Sequence, residues 1–297
     1  MTFDQVIVLG AGAIGSTYGA LLSQKYRVIL VGRPAHMKAI REKGLTMVGD
    51  AAGTYTMETT TEITEIPPKT LLLVTVKAHN LHEALTPIRE FIKKDTTVLF
   101  LQNGLGIKEL AQKILTGRGK IVCGVVVFGA DFLGPGCIRA NLGFTFLDSD
   151  ADSMEVSRFF TEAGLVVVNS EDFQADVWRK VVINCVVNPL SAILQAPTKS
   201  LVSQQLASIR RGIVEECIAV GQAEGIHLDL GILEIMESNM PSFKNRSSML
   251  QDVMYGRKTE IDFLNGRIVE IGRRHQIPTP VNETLTQLIR YLEAERQ

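Results

Sequence analysis

A glycine-rich hexapeptide near the N-terminus constrains the fold more than any other feature of the chain. It reads Gly10-Ala11-Gly12-Ala13-Ile14-Gly15. The apolar run Val6 to Leu9 precedes it directly, and a helical pattern continues from it to Gln24. In this context the first glycine permits a tight turn, the second lets the backbone approach a pyrophosphate, and the third lets helix and strand pack closely. The free N–H groups at the helix N-terminus attract phosphate. The hexapeptide predicts a dinucleotide site, and a purely structural turn is the alternative.

Apolar runs of strand length alternate with helical patterns over residues 1–170. The runs are Val6 to Leu9, Val28 to Val31, Leu71 to Val76, Thr97 to Leu101, Ile121 to Phe128 and Phe144 to Leu147. Two further runs, Leu45 to Val48 and Tyr55 to Glu58, flank a glycine-containing turn and predict an inserted antiparallel hairpin. The alternation predicts an α/β fold whose first domain has a mostly parallel, Rossmann-type sheet.

The pattern from Ser170 onward is helical nearly to the end of the chain. Ser170-Glu171-Asp172 is typical of a helix start, and Thr279-Pro280 opens the last helix. We therefore expect a C-terminal all-helical domain over residues 171–297, since 297 residues suit two domains. A ligand cleft is expected between the domains.

Composition excludes several classes of protein. The chain has 31 Lys plus Arg against 32 Asp plus Glu, so no overall field favours nucleic acid or an anionic membrane. The first apolar run is too short for a signal peptide or a membrane span. The four cysteines match no disulfide or zinc spacing, which predicts buried free thiols and no metal. We expect a cytoplasmic protein, and the sequence leaves a homodimer open.

Polar residues follow the predicted strands. Arg33 stands after the second strand, where an NAD enzyme usually carries an acid, and its guanidinium suits the 2′-phosphate of NADP(H). Lys77 comes directly after Leu71 to Val76, and Asn103 follows Thr97 to Leu101. Ligands gather at the carboxyl ends of parallel strands, so we expect these residues on one rim. A solvated arginine and a plain Asn103-Gly104 turn are the alternatives.

One helical segment carries three polar residues in an otherwise apolar run. Lys180, Asn184 and Asn188 are each four residues apart and therefore share one helix face. Buried amides and a buried ammonium group are unfavourable unless they find partners. The pattern predicts a pocket for an anionic, oxygen-rich ligand. Bonds to neighbouring helices, which would only fix packing, are the alternative.

A second polar group lies near the C-terminus. Residues 245–252, which include Ser248, are dense in hydroxyl and N–H groups and predict a helix start suited to a carboxylate. Lys258-Thr259-Glu260 is predicted to begin a further helix. Its apolar stripe would consist of Ile261, Leu264, Ile268 and Ile271. Glu260 borders this stripe, and pattern alone favours a solvated acid there.

The blocks together resemble the ketopantoate reductase (2-dehydropantoate 2-reductase) family, over the whole chain. The matching blocks are Gly10 to Gly15, Val31 to Arg33, Val76 to Ala78, Gln102 to Gly104, Trp178 to Lys180 with Asn184 to Leu190, and Asn245 to Asp252 with Lys258 to Asp262. The resemblance implies a Rossmann domain, a helical second domain, and reduction of 2-dehydropantoate by NADPH in pantothenate biosynthesis.

The resemblance also implies residue roles. Lys180 matches the catalytic lysine, expected to be the general acid, and Glu260 matches its acidic partner. The substrate-binding positions correspond to Asn184, Asn188 and Ser248. Lys77 and Asn103 match residues at the nicotinamide end of the cleft, and Asn103 is also expected to contact the substrate.

Three alternatives stay open. Paralogues of this family act on other 2-oxo acids, and a β-hydroxyacid or opine-type dehydrogenase would share the glycine loop. A protein that senses NADP(H) without catalysis would need the loop but no buried lysine.

Overall fold

The computed structural model describes residues 3–242 and 246–295, and the chain divides into two compact units. Unit 1 comprises Met1–Gln102 and Gly106–Phe173. Unit 2 comprises Asn103–Leu105 and Gln174–Gln297. The short segment after the fourth predicted strand thus groups with the C-terminal part of the chain.

Unit 1 is built on a single sheet. Its strands are β1 Gln5–Leu9, β2 Val28–Val31, β3 Leu45–Gly49, β4 Gly53–Tyr55, β5 Glu58–Thr60, β6 Thr70–Val74, β7 Thr97–Phe100, β8 Lys120–Gly134, β9 Cys137–Asp148 and β10 Val167–Ser170. The order is β4-β3-β9-β8-β7-β6-β1-β2-β5, and β10 pairs with β9. Only the β3–β4 and β8–β9 pairings are antiparallel among the described strands. The predicted α/β fold with a mostly parallel sheet is confirmed.

Five α-helices of unit 1, with 3-10 helices at Ala78–Asn80 and Thr86–Phe91, connect these strands within the described residues. They are α1 Ala13–Ser23, α2 Pro34–Lys43, α3 Leu81–Leu85, α4 Ile107–Leu115 and α5 Ala151–Glu162. Helix α1 packs on the sheet through Tyr18, which is fully buried. Its ring contacts Phe128 and Phe160, and its hydroxyl bonds to Thr145 at 2.5 Å. The glycine turn is therefore attached to a firmly packed helix.

Several predicted strand boundaries in unit 1 are wrong. Strand β6 ends at Val74, two residues before the predicted end at Val76, because beyond it the carbonyls of Val74 and Val76 are bonded by the side chain of Gln102. The inserted hairpin is confirmed as β3–β4, but Glu58–Thr60 is a separate strand parallel to β2. Strands β8 and β9 form a much longer antiparallel ribbon than the two apolar runs predicted.

Unit 2 consists of helices joined by turns, with no strand among its described residues. Its α-helices are α6 Phe173–Leu194, α7 Ala207–Ala223, α8 Gly231–Asn239, α9 Ser248–Met254, α10 Asn265–Arg274 and α11 Pro280–Ala294. Helix α6 is long and apolar enough to cross a membrane by length and composition, but most of it is buried, as in the core helix of a soluble protein. It begins at Phe173 rather than Ser170, which ends β10. The predicted start of α11, with Thr279 before Pro280, is confirmed.

The predicted helix start at Lys258-Thr259-Glu260 is wrong. Residues Ile261–Phe263 form a single 3-10 turn, and α10 begins only at Asn265. The intervening Leu264 has φ −109° and ψ −109°, which interrupts the helical backbone. The four residues of the predicted stripe are nevertheless all buried, namely Ile261, Leu264, Ile268 and Ile271. Glu260 thus precedes a turn and is not in the first turn of a long helix.

The predicted free thiols are confirmed, since all four cysteines are unpaired by disulfides. Cys185 and Cys217 are buried, as expected. Cys123 and Cys137, in contrast to the prediction, are only partly buried; Cys123 pairs with Phe100 of β7, and Cys137 begins β9 at the end of its ribbon with β8.

Candidate functional site

The glycine turn of unit 1 has the geometry that a dinucleotide needs. Gly10 has φ +110°, and a Cβ there would lie 2.6 Å from the backbone nitrogen of Val76. A Cβ at Gly15 would overlap the carbonyl of Gly10. A Cβ at Gly12, in contrast, would meet no atom within 4 Å, and this exposed residue precedes α1 without a capping side chain. The first-turn amides of α1 therefore open onto free space, which suits a phosphate.

The rest of the hexapeptide is fixed by hydrogen bonds at the ends of neighbouring strands. Its other members, all partly buried, are Ala11, Ala13 and Ile14. The backbone N–H of Ala11 donates to the carbonyl of Val31 at 2.9 Å, and the Thr75 hydroxyl donates to the carbonyl of Gly10 at 2.7 Å. These bonds tie the turn to the ends of β2 and β6, so three adjacent parallel strands end together.

Arg33 and Lys77 follow two of those strand ends. Arg33 is exposed, comes two residues after β2 and precedes the Pro34 that begins α2. In the part of the chain that the structure describes, its guanidinium makes no ion pair, so it is available to a ligand. Lys77 is partly buried and stands three residues after β6 rather than directly after it. The loop before Lys77 is held by Gln102, whose Nε2 donates to the carbonyls of Val74 and Val76 at 2.8 and 2.9 Å.

His36 is a residue of this region whose role the sequence did not indicate. It is buried in α2, and its Nδ1 accepts a hydrogen bond from the backbone N–H of Gly136 at 2.8 Å. The hydrogen of the neutral ring is then on Nε2, which donates to the Ser16 hydroxyl at 3.1 Å. Burial lowers the pKa of His36, which keeps the ring neutral. The ring thus joins α2, which follows Arg33, to α1, which follows the glycine turn.

In unit 2, the predicted polar line on α6 forms one face of one continuous helix. Lys180 is partly buried, and burial lowers its pKa to about 8. Asn188 is only 5% exposed and Asn184 is partly buried. Across residues 3–242 and 246–295, neither side-chain amide has a hydrogen-bond partner. Bonding to neighbouring helices, the alternative explanation of this polar line, therefore does not account for these two amides.

Glu260 and Asn103 meet within unit 2. The Asn103 Nδ2 donates to Glu260 Oε2 at 3.4 Å. The next residue, Gly104, has φ +106°, and a Cβ there would lie 2.5 Å from the carbonyl oxygen of Phe263. That same oxygen accepts from the backbone N–H of Leu105 at 3.0 Å. Asn103-Gly104 is therefore more than a plain turn, because it is packed against the segment that carries Glu260.

Ser248 is the exposed first residue of α9. The preceding Ser247 caps this helix, since its hydroxyl accepts from the backbone N–H of Leu250 at 3.1 Å. Ser247 also bonds to the hydroxyl of Ser191 on α6, which donates to the carbonyl of Asn188 at 3.0 Å. These buried hydroxyls join Ser248 to the predicted substrate amides. Asn245, which belongs to the same predicted helix start, lies outside the described residues.

The chain matches known proteins over its whole length. The family model "Ketopantoate reductase PanE/ApbA" matches residues 6–147, and "Ketopantoate reductase PanE/ApbA C terminal" matches residues 172–293. A 2-dehydropantoate 2-reductase of Pyrococcus abyssi (strain GE5 / Orsay) is 33% identical over 299 residues, with 98% of each chain covered.

Two solved structures are similar in fold and sequence. A PanE/ApbA family ketopantoate reductase from Ralstonia eutropha JMP134 has a TM-score of 0.92 and 30% identity, with 99% of each chain covered. A D-mandelate dehydrogenase in a ternary complex with NADH and anilino(oxo)acetate has a TM-score of 0.90 and 28% identity. That match covers 98% of this chain and 99% of the other. The chain belongs to the ketopantoate reductase PanE/ApbA family.

Proposed function

We propose that the chain catalyses the NADPH-dependent reduction of 2-dehydropantoate (ketopantoate) to pantoate in pantothenate biosynthesis. The observation that carries this proposal is the face of α6 on which Lys180 precedes Asn184 and Asn188, two amides that bond to no side chain or backbone group among the described residues. The curated relatives named 2-dehydropantoate 2-reductase support the substrate. In this proposal residues 1–170 bind NADPH, and residues 171–297 bind the 2-oxo acid and carry the catalytic side chains.

The chemistry requires a proton donor beside the substrate carbonyl. Hydride addition to the carbonyl carbon leaves negative charge on its oxygen, which a positioned acid can neutralise. NADPH, when bound, would supply the hydride. Lys180 would supply the proton from Nζ, because its pKa of about 8 leaves it mostly protonated near neutral pH yet more acidic than an ordinary lysine. Glu260, with Asn103 bonded to it, would be the acidic partner of Lys180.

The remaining site residues would orient the substrate. Asn184 and Asn188 offer amides to its hydroxyl and carboxylate, and Ser248 offers a hydroxyl at the start of α9. Lys77 and Asn103 would lie beside the nicotinamide ring of the bound cofactor. These roles predict that Lys180→Ala loses at least ~100-fold in turnover while it still binds NADPH. The matched control is Lys199→Ala, which removes an exposed lysine of the same unit.

The preference for NADPH over NADH rests on Arg33. An exposed guanidinium without an ion pair can bind a 2′-phosphate through charge-assisted hydrogen bonds, whereas NADH offers no such group. Removal of one charged hydrogen-bonding partner typically changes affinity by ~10- to 100-fold. We expect Arg33→Ala to raise the Kd for NADPH by that factor and to leave the Kd for NADH unchanged. Arg158→Ala, at an exposed arginine of α5, is the control.

The second candidate is reduction of a different 2-oxo acid. The similar D-mandelate dehydrogenase structure favours it, since that protein was solved with NADH and anilino(oxo)acetate. Initial rates of cofactor oxidation with 2-dehydropantoate, pyruvate, 2-oxoisovalerate and phenylglyoxylate, each with NADPH and NADH, separate the two. A higher kcat/KM for another 2-oxo acid than for 2-dehydropantoate would identify that acid as the preferred substrate and would favour the second candidate. The absence of oxidation with every acid would favour an NADP(H) sensor.

A cytoplasmic location and a homodimer are part of the proposal. Four cysteines without disulfides suit a reducing compartment. Light scattering of the purified chain checks the homodimer.

A further inference from the structure

A proline in α6 leaves one backbone carbonyl without its usual donor. Pro189 lies inside the helix and has no N–H, so the carbonyl of Cys185 cannot receive the bond from four residues ahead. The side chain of Asn265 supplies a donor instead. Its Nδ2 donates to Cys185 O at 2.9 Å, and Asn265 is 0% exposed. A side chain of α10 thus takes the place of a missing bond in the backbone of α6.

The orientation of Asn265 is itself fixed by a buried polar network. Its Nδ2 also donates to Asn282 Oδ1 at 2.9 Å, which uses the second hydrogen of the amide. Asn282 Nδ2 donates to Glu216 Oε2 at 2.7 Å. The carboxylate of Glu216 accepts from the backbone N–H groups of Val281 and Asn282 at the start of α11, at 2.8 and 2.9 Å. Asn265 is therefore held from α7 and α11 while it bonds α6.

The position of Asn265 in the chain links this network to the candidate site. Asn265 begins α10, directly after the turn that follows Glu260. The segment from Glu260 to Phe263 is also held by the loop after β7. Asn103 bonds the side chain of Glu260, and the N–H of Leu105 bonds the carbonyl of Phe263. The carbonyl that Asn265 bonds belongs to Cys185, the neighbour of Asn184. The side-chain amide of Asn265 thus connects the segment that carries Glu260 with α6, the helix that carries Lys180 and the two predicted substrate-binding asparagines.

We propose that Asn265 is a positioning residue for the reduction. Its bond to the carbonyl left open by Pro189 fixes the Glu260 segment relative to the face of α6 that carries Lys180 and Asn184. This inference rests on the proposed function, because it takes the roles of those side chains from it. A merely structural Asn265 would only satisfy a buried carbonyl, and any other donor to that carbonyl would then serve equally well.

The pair Pro189→Ala and Asn265→Ala distinguishes the two roles. Pro189→Ala restores a backbone N–H for Cys185 O, but it provides no connection to α10. In the wild-type background, Asn265→Ala is expected to lower the melting temperature and to reduce kcat by ~10- to 100-fold, the range that a misplacement of about 1 Å can cause. In the Pro189→Ala background, the loss of melting temperature shrinks and the fold-loss of kcat stays the same. The KM for NADPH stays within about twofold in all four proteins, since only unit 2 is changed.

If the double variant recovers both kcat and stability, any donor to the carbonyl of Cys185 suffices, and the proposal is overturned. An unchanged kcat in Asn265→Ala would also overturn it. If Asn265→Ala alone does not fold, the comparison of the double variant with Pro189→Ala decides the question. Arg210→Met is the control for lost stability. It removes a buried guanidinium that bonds Glu237 and the carbonyls of Leu201 and Ser203, and it should leave kcat unchanged.

A readout without catalysis separates this inference from the proposed function. Absence of turnover by the wild-type protein with every 2-oxo acid would refute the function alone. Amide hydrogen exchange over residues 260–264 would still test the connection. Faster exchange caused by Asn265→Ala in both backgrounds supports positioning, whereas protection regained in the Pro189→Ala background contradicts it.

Discussion

Lys180→Arg separates the charge of this side chain from its acidity. Burial lowers the pKa of Lys180 to about 8, against ~10.4 for an ordinary lysine. A general acid acts in its protonated form, and kcat/KM reports the free enzyme. We therefore expect kcat/KM to be level below pH ~7 and to fall about tenfold per pH unit above pH ~8.

The expected kcat/KM at pH ~9 distinguishes the wild-type protein from Lys180→Arg. At pH ~9 only about one Lys180 side chain in ten is protonated, so the wild-type kcat/KM should be roughly tenfold below its value at pH ~7. Arginine stays protonated over this range and is a poor acid. Lys180→Arg should thus be at least ~100-fold slower at neutral pH, without a decline between pH ~7 and ~9.

The assay is the initial rate of NADPH oxidation at low 2-oxo acid concentration, followed from pH ~6 to ~10. Lys199→Arg, at an exposed lysine, should retain the wild-type profile. Lys180 is not the acid if the wild-type profile stays level past pH ~9.5, or if the same decline persists in Lys180→Arg.

Three further outcomes follow from the geometry. Gly10→Ala should weaken NADPH binding in a fluorescence titration, because the new Cβ would lie 2.6 Å from the nitrogen of Val76 at φ +110°. Ser191→Ala breaks the hydroxyl link to α9 and should raise the KM for the 2-oxo acid with little change in that for NADPH, as steady-state kinetics would show. Lys180→Met should raise the melting temperature at pH ~7, because burial disfavours the ammonium form in the folded state. That gain should shrink between pH ~8 and ~10.4 and vanish above, where the lysine is neutral in both states; equal gains at pH ~7 and ~11 would contradict this origin.

The parts of the fold that the sequence predicted are those with strong local patterns. Strands β1, β2 and β7 are short, apolar and almost wholly buried, so each stands out between polar turns. Only parts of β8 and β9 were predicted as strands, because the rest of their ribbon is mostly partly buried or exposed and lacks a continuous apolar run. The helix start at Glu260 was misplaced because the apolar spacing continues through the 3-10 turn, whereas the backbone at Leu264 does not.

In the candidate site, too, residues with a local sequence pattern could be predicted and residues without one could not. Lys180, Asn184 and Asn188 could be grouped from sequence because helical spacing alone places them on one face. The partners that hold the site have no such signal. Asn265 bonds Cys185 across 80 positions of the chain, and Ser247 bonds Ser191 across 56. Residues this far apart are brought together by the tertiary fold, which a single sequence does not reveal by periodicity.

The apolar character of α6 has a consequence for synthesis of the protein. Helices α7 to α11, whose buried residues share one hydrophobic core with those of α6, all follow it in the chain, so α6 is synthesised before them. Until those helices have folded, a helix with the length and hydropathy of a membrane span is not fully covered. A chain that stops directly after α6 would leave this surface exposed permanently. We therefore expect C-terminal truncations to aggregate or adhere to membranes, even though they retain every strand of the sheet.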